Sequence, residues 1–162
     1  TKAKVGLKTA RTWALGECYA SSGWHKRNAQ VKAIISRRSP EGRVAAVTFE
    51  LDLAEKGVTN IEARTDLDDD RLQGILARHS TEETPLLSVE PEVAATIVRQ
   101  AAEWGVEQGH KPPTGWSRAS EILADIPQSD EVDLLLGPEN EDQAKKTGGI
   151  WSSMKNTMGF KD

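Results

Sequence analysis

Residues 43–53 carry the clearest periodicity in the chain. Val47, Phe49, Leu51 and Leu53 alternate with Thr48, Glu50 and Asp52, the two-residue repeat of a strand with one buried face. Residues 29–37 supply the β-branched side chains Val31, Ile34 and Ile35 and read as a partner strand. Between the two, Ser39-Pro40-Glu41-Gly42 is a turn, since proline presets the first central position and glycine accepts the closing geometry. Residues 11–19, with Trp13, Leu15 and Tyr19, predict a further strand ahead of a polar loop over 21–26.

The period then changes from two to between three and four. Thr65-Asp66-Leu67-Asp68 fits a helix start, with Thr65 or Asp66 as the cap, and the helix runs through Leu72, Ile75 and Leu76 to fray near His79. The longest helix starts at Ser88-Val89-Glu90-Pro91, where proline in the first turn gives up no hydrogen bond. Val93, Ala94, Ile97, Val98, Ala101 and Trp104 form its apolar stripe, and Pro112-Pro113 stops it. A shorter helix is expected over 116–124, and 132–136 reads as an edge strand before Gly137-Pro138. Strands first and helices second predict an α+β fold, with three to four antiparallel strands packed against about three helices. Val31, Ile35, Phe49, Leu51, Ile97, Val98 and Trp104 are the expected common core.

The ends differ from the middle. Residues 1–9 read as a flexible basic terminus, 10–138 as a single domain, 139–149 as a linker and 150–162 as a short amphipathic tail. In that tail Ile150, Met154 and Met158 recur every four residues, with Trp151 and Phe160 beside them, the pattern of a segment that docks in a groove, on a partner or on its own domain.

The chain has 162 residues and a net charge of −4, but that total hides a segregation. Residues 1–45 hold ten basic and two acidic side chains, residues 46–142 seven basic and 22 acidic, and residues 143–162 four basic and one acidic. Such a split marks a basic contact surface or two faces that pair with each other. Lys26, Arg27, Arg37, Arg38 and Arg43 are the cations expected to meet nucleic acid or an acidic partner. Trp13, Tyr19 and Trp24, interleaved with Arg11, His25, Lys26 and Arg27, add the aromatic component that single-strand binders use to stack bases.

Chemical motifs are sparse. The one cysteine, Cys18, excludes an internal disulfide and a multi-cysteine zinc cage, and reads as a buried thiol rather than a nucleophile. The acidic run from Asp66 to Asp70 fails as a calcium loop, because Arg71 and Ala77 stand where glycine and glutamate are required. His25, His79 and His110 have no metal-ligand spacing, and Gly148-Gly149 has no phosphate-loop context. No catalytic residue, metal or cofactor is assigned. No apolar run has the length of a membrane span and no signal-peptide core follows the first residues, so a cytoplasmic location is expected.

Four groups of residues together resemble an uncharacterised family of small bacterial proteins. They are Glu17-Cys18-Tyr19 with Trp24, Ser36-Arg37-Arg38-Ser39-Pro40 with Gly42, Phe49-x-Leu51-Asp52-Leu53 leading to Gly57-Val58, and Gly105 with Gly109 and Pro112. The resemblance spans 16–138. It departs where that family carries an aromatic residue and a histidine, here His110 and Pro113, and its glycine-rich segment is reduced to Gly137-Pro138. It implies one α+β domain and no activity. The expected function is a non-catalytic accessory or regulatory subunit with a protein partner, docking on a larger assembly, of which one that handles nucleic acid is one option. The alternatives are a single-stranded RNA or DNA binder using the basic third, and a small enzyme centred on Cys18.

Overall fold

A computed structural model of the chain describes residues 6–26 and 30–137. A short helix α1 (Leu7–Ala10) leads into four consecutive antiparallel strands: β1 (Ala14–Ser21), β2 (Gln30–Arg38), β3 (Val44–Asp52) and β4 (Gly57–Leu67). Helix α2 (Asp69–His79) follows, then a short strand β5 (Leu86–Val89) that pairs with the free side of β1, giving the order β4-β3-β2-β1-β5. Helix α3 (Pro91–Glu107), the small helix α4 (Trp116–Ala119) and a 3₁₀ turn (Ser120–Leu123) complete the described elements. The fold is α+β, as expected, with five strands where three to four were predicted. Among the described residues no helix is long and apolar enough to cross a membrane.

The central hairpin forms as its sequence dictates. Gly42, at φ 89°, donates its N–H to the Ser39 carbonyl at 3.0 Å, and Ser39 N–H donates to the Arg43 carbonyl at 2.8 Å. That closure pairs Arg38 with Val44 and sets the register down to Gln30 and Asp52. Alternation then divides the side chains between two faces. Cys18, Ala20, Val31, Ala33, Ile35, Ala45, Val47, Phe49 and Leu51 point toward α3 and form the main core with Ile97 and Val98. Ile34, Val44, Ala46 and Leu67 point the other way, against Leu72 and Ile75 of α2.

Several elements differ from expectation. Strand β4 escapes the period-two pattern because its register shifts near both ends, between the partners of Glu50 and Leu51 and again between those of Val44 and Ala46. The cap of α2 is Asp68, whose carboxylate accepts the Arg71 N–H at 2.9 Å, so Thr65 and Asp66 still belong to the strand. Residues 132–136 are not an edge strand. They run along α3, where Gln100 donates to the Val132 carbonyl and accepts the Leu134 N–H, and they bury Val132 and Leu134. Part of the stretch read as a flexible terminus is α1, with Leu7 and Ala10 buried; residues 1–5 and the tail residues Ile150, Trp151, Met154, Met158 and Phe160 lie outside the described residues.

Trp104 also corrects the predicted core. The face of α3 that meets the sheet runs through Ala94, Ile97, Ala101 and Gly105, and Trp104 sits one position off that line, half-buried and outside the main cluster. At Gly105 the helix touches the β3–β4 turn backbone to backbone. A Cβ on Gly105 would lie 2.3 Å from the Lys56 carbonyl oxygen, and one on Gly57, itself at φ 76°, 2.5 Å from the Ala101 carbonyl oxygen. Gly74, in the middle of α2, has open space where its Cβ would be. The two helical glycines should therefore respond oppositely to alanine. Gly105→Ala is expected to destabilise by about 1–3 kcal/mol through overpacking, although alanine is the better helix former. Gly74→Ala should stabilise by about 0.5–1 kcal/mol. Urea denaturation midpoints check both, and a Gly105→Ala variant as stable as the parent refutes the close contact.

Candidate functional site

The structure separates the cations predicted to act together. Arg37 continues the inward-facing series Val31, Ala33 and Ile35, so its side chain enters the protein and is 5% exposed. Its guanidinium donates to three backbone carbonyls: Nε to Ile122 at 3.0 Å, Nη1 to Trp13 at 3.0 Å and Nη2 to Ala124 at 2.6 Å. Burial draws the Arg37 pKa down and the nearby Asp125 carboxylate opposes that, while the charge itself is retained. Asp125 has φ 62°, the left-handed conformation that turns the chain just after Ala124. Arg37 is thus an internal clamp, and the contact surface expected to include it is corrected accordingly. Arg38, one residue on, lies on the opposite face and donates to the Asp69 carboxylate at 2.6 Å, beside the N-terminus of α2. Arg43 is half-buried at the hairpin turn, Lys26 is exposed at the far end of β1, and Arg27 lies outside the described residues.

The aromatic residues do not share a platform either. Trp13 and Trp24 pack against the main core and Tyr19 against the α2 cluster. Tyr19 donates its hydroxyl to Glu17 at 2.7 Å, and burial together with that carboxylate pushes its pKa up to about 12. Cys18 is buried at 1% exposure, and burial pushes its thiol up to about 11 against the opposing pull of Arg37. A thiol so protonated and enclosed is a poor nucleophile.

A polar network closes the α2 face near the helix C-terminus. Arg78 donates to both Glu62 carboxylate oxygens at 2.7 and 2.8 Å, and His79 Nε2 lies 3.5 Å from the same group. Lys32 Nζ lies 3.2 Å from His79 Nδ1, which must accept because an ammonium has only donors. The Arg78 hydrogen bond holds the Glu62 carboxyl below its usual range. Each charge here has a partner, and the network ties α2 to β2 and β4.

On the α3 face lies an open recess of about 780 Å³. Ile61 and Ala63 of β4 form one side, the loop Lys111-Pro112-Pro113-Thr114-Gly115 the other, and Leu7, Trp116 and Arg118 complete it. Trp116 is fixed by an edge contact with Phe49, ring centroids 5.9 Å apart. Two adjacent prolines restrict the loop, and Gly115 takes the left-handed conformation, φ 94°, at the start of α4. Arg11, close by, is paired with Glu121, whereas Lys111 and Arg118 have no ion-pair partner among the described residues. The sequence reading missed this site. Its one local signal was the Pro-Pro-Thr-Gly-Trp run between two cations; the strand side became visible only with the sheet order. Among the described residues no three histidine, cysteine, aspartate or glutamate side chains gather as metal ligands.

Two measurements follow from the placement of Arg37 and Cys18. Arg37→Ala strands three carbonyls and should cost about 3 kcal/mol or more, while Arg38→Ala, which breaks one exposed pair, should cost under about 1 kcal/mol. Similar losses for the two variants in chemical denaturation refute the clamp. For Cys18, native alkylation by iodoacetamide should stay slow from pH 7 to 9 and become fast on unfolding, because the ordinary thiol ionises near pH 8.5 and the buried one does not. Rapid native alkylation at neutral pH revives a nucleophilic role.

No protein-family model, no curated protein and no solved structure matches this chain.

Proposed function

We propose that the protein is a non-catalytic accessory subunit that docks on a larger assembly through the recess beside β4. One observation carries this reading: at an outer strand of the sheet, an apolar hollow lined by Ile61, Ala63, Pro112, Pro113 and Trp116 carries two cations that have no ion-pair partner among the described residues. Aromatic and arginine side chains are the commonest sources of interface energy. A loop stiffened by two prolines loses little freedom on binding, so less of the interaction energy is consumed in ordering it. The single-strand reading keeps Lys26 and Arg43 as surface cations, but Arg37 is occupied by backbone carbonyls and Arg38 by Asp69, so protein docking is the better-supported use of the molecule.

Tagged parent protein and a Lys111→Glu/Arg118→Glu variant, recovered from the source cells at equal abundance, test the proposal. The co-purifying partner is identified and the complex rebuilt from purified components. The variant should bind roughly tenfold more weakly or worse, the scale of reversing two interface charges. Equal affinity removes the recess from docking.

A further inference from the structure

We infer that the occupant of the recess is an extended, acidic segment of a partner protein that adds as a sixth strand to β4 over residues 60–64. This rests on the docking role proposed above and specifies its chemistry.

Strand β4 is outermost in the sheet, so its outward backbone groups have no strand partner among the described residues. Such an edge is a template for another chain. The length available is set by the two register shifts. Asn60, Ile61, Glu62, Ala63 and Arg64 pair in unbroken order with Glu50, Phe49, Thr48, Val47 and Ala46, and the register slips on either side. Irregularities of this kind twist an edge and end its pairing. The usable template is therefore a short central run, and that run is the part of β4 that borders the recess.

Alternation fixes what the added strand presents. Ile61 and Ala63 lie on the recess side, while Asn60, Glu62 and Arg64 lie on the α2 side. Every second side chain of the incoming segment then falls toward Trp116 and the two prolines, within the field of Lys111 and Arg118. Carboxylates placed there neutralise two cations that the described residues leave unpaired, and a basic segment is repelled. On the opposite side Glu62 is already held by Arg78 and Arg64 lies 3.3 Å from Asp66, so that side adds little charge preference.

A second copy of this chain fits less well. Antiparallel pairing of the run with its own copy about its centre, Glu62, sets the two Glu62 side chains against each other and Ile61 opposite Ala63, so it brings no carboxylate to the recess side. A run of five paired residues also falls well short of the roughly 800 Å² per partner that a stable dimer buries.

The test uses the whole protein and an end-capped seven-residue peptide alternating aspartate and valine. Calorimetry should detect binding, and amide resonances of residues 60–64 should shift and gain exchange protection. Replacing every aspartate by lysine, or using the Lys111→Glu/Arg118→Glu protein, should weaken binding roughly tenfold or more. N-methylation of the central peptide bonds should abolish it, since the ladder then loses its donors. Unchanged denaturation midpoints show that the variant protein is folded. Equal binding of the methylated peptide overturns strand addition, and equal binding of the lysine peptide overturns the acidic preference. Self-association through β4 in place of peptide binding, or tighter binding of a single-stranded DNA 12-mer at Lys111 and Arg118, overturns the proposed occupant. If no peptide binds while partner affinity still depends on Lys111 and Arg118, this inference fails and the docking role stands. If partner affinity is also unchanged, both fail.

Discussion

A guanidinium buried without a directly bound carboxylate needs hydrogen-bond acceptors in its place, and in this protein the backbone supplies one carbonyl to each of the three Arg37 nitrogens. Arg37 draws the Trp13 carbonyl from just before β1 and the Ile122 and Ala124 carbonyls from the 3₁₀ turn and the residue after it. Two segments more than a hundred residues apart are thereby fixed against the middle strand of the sheet. The carbonyls near 122–124 turn inward because the chain reverses at Asp125, in a conformation that costs a non-glycine residue energy. Charge-assisted hydrogen bonds in a protein interior are strong enough to outweigh that cost. The Arg11–Glu121 pair adds an outer link at the same corner.

The layer beyond α3 depends on that clamp. After Asp125 the chain returns along the helix, held by Ser129 N–H on Thr96, by the two bonds to Gln100 and finally by Gly137 N–H on the Leu53 carbonyl. Helix α3 is enclosed between this strap and the sheet, which explains why Val93, Ala94, Ala95, Thr96, Ile97 and Val98 are all buried in succession. The close contact at Gly105 then sets the height of the helix end over the β3–β4 turn. From there the chain runs through the proline loop to α4, so the wall of the recess hangs between two fixed points. A recess wall framed this way has little conformational freedom left to lose.

Much of the fold is legible in the residues. The alternation of Val47, Phe49, Leu51 and Leu53, the Ser39-Pro40-Glu41-Gly42 turn and the start of α3 at Pro91 all appear where local physics puts them. Strand β4 was not legible, because register shifts interrupt its period and polar residues such as Thr59, Asn60 and Glu62 occupy an outer strand that the core constrains weakly. Strand β5 was hidden by its length of four residues and its half-exposed pattern. Arg37 was misread for an instructive reason. Its charge suggested a surface, whereas its position two residues after Ile35 already placed it on the buried face.

The sequence by itself determined which segments are strands or helices wherever a period is sustained, where the principal turn lies, and that charge is unevenly shared along the chain. Those are local properties, governed by backbone sterics and by the spacing of apolar side chains over a few residues. Tertiary structure decided which cations are spent inside the protein and which remain outside. It also decided that Trp104 leaves the core, that β4 is one of the two outer strands of the sheet, and that Ile61 and Ala63 meet Trp116 across a hollow. These outcomes depend on pairing order and on contacts between residues far apart in the chain. No local window contains that information, because the energy of a buried charge or an open edge is set by whatever the rest of the fold brings beside it.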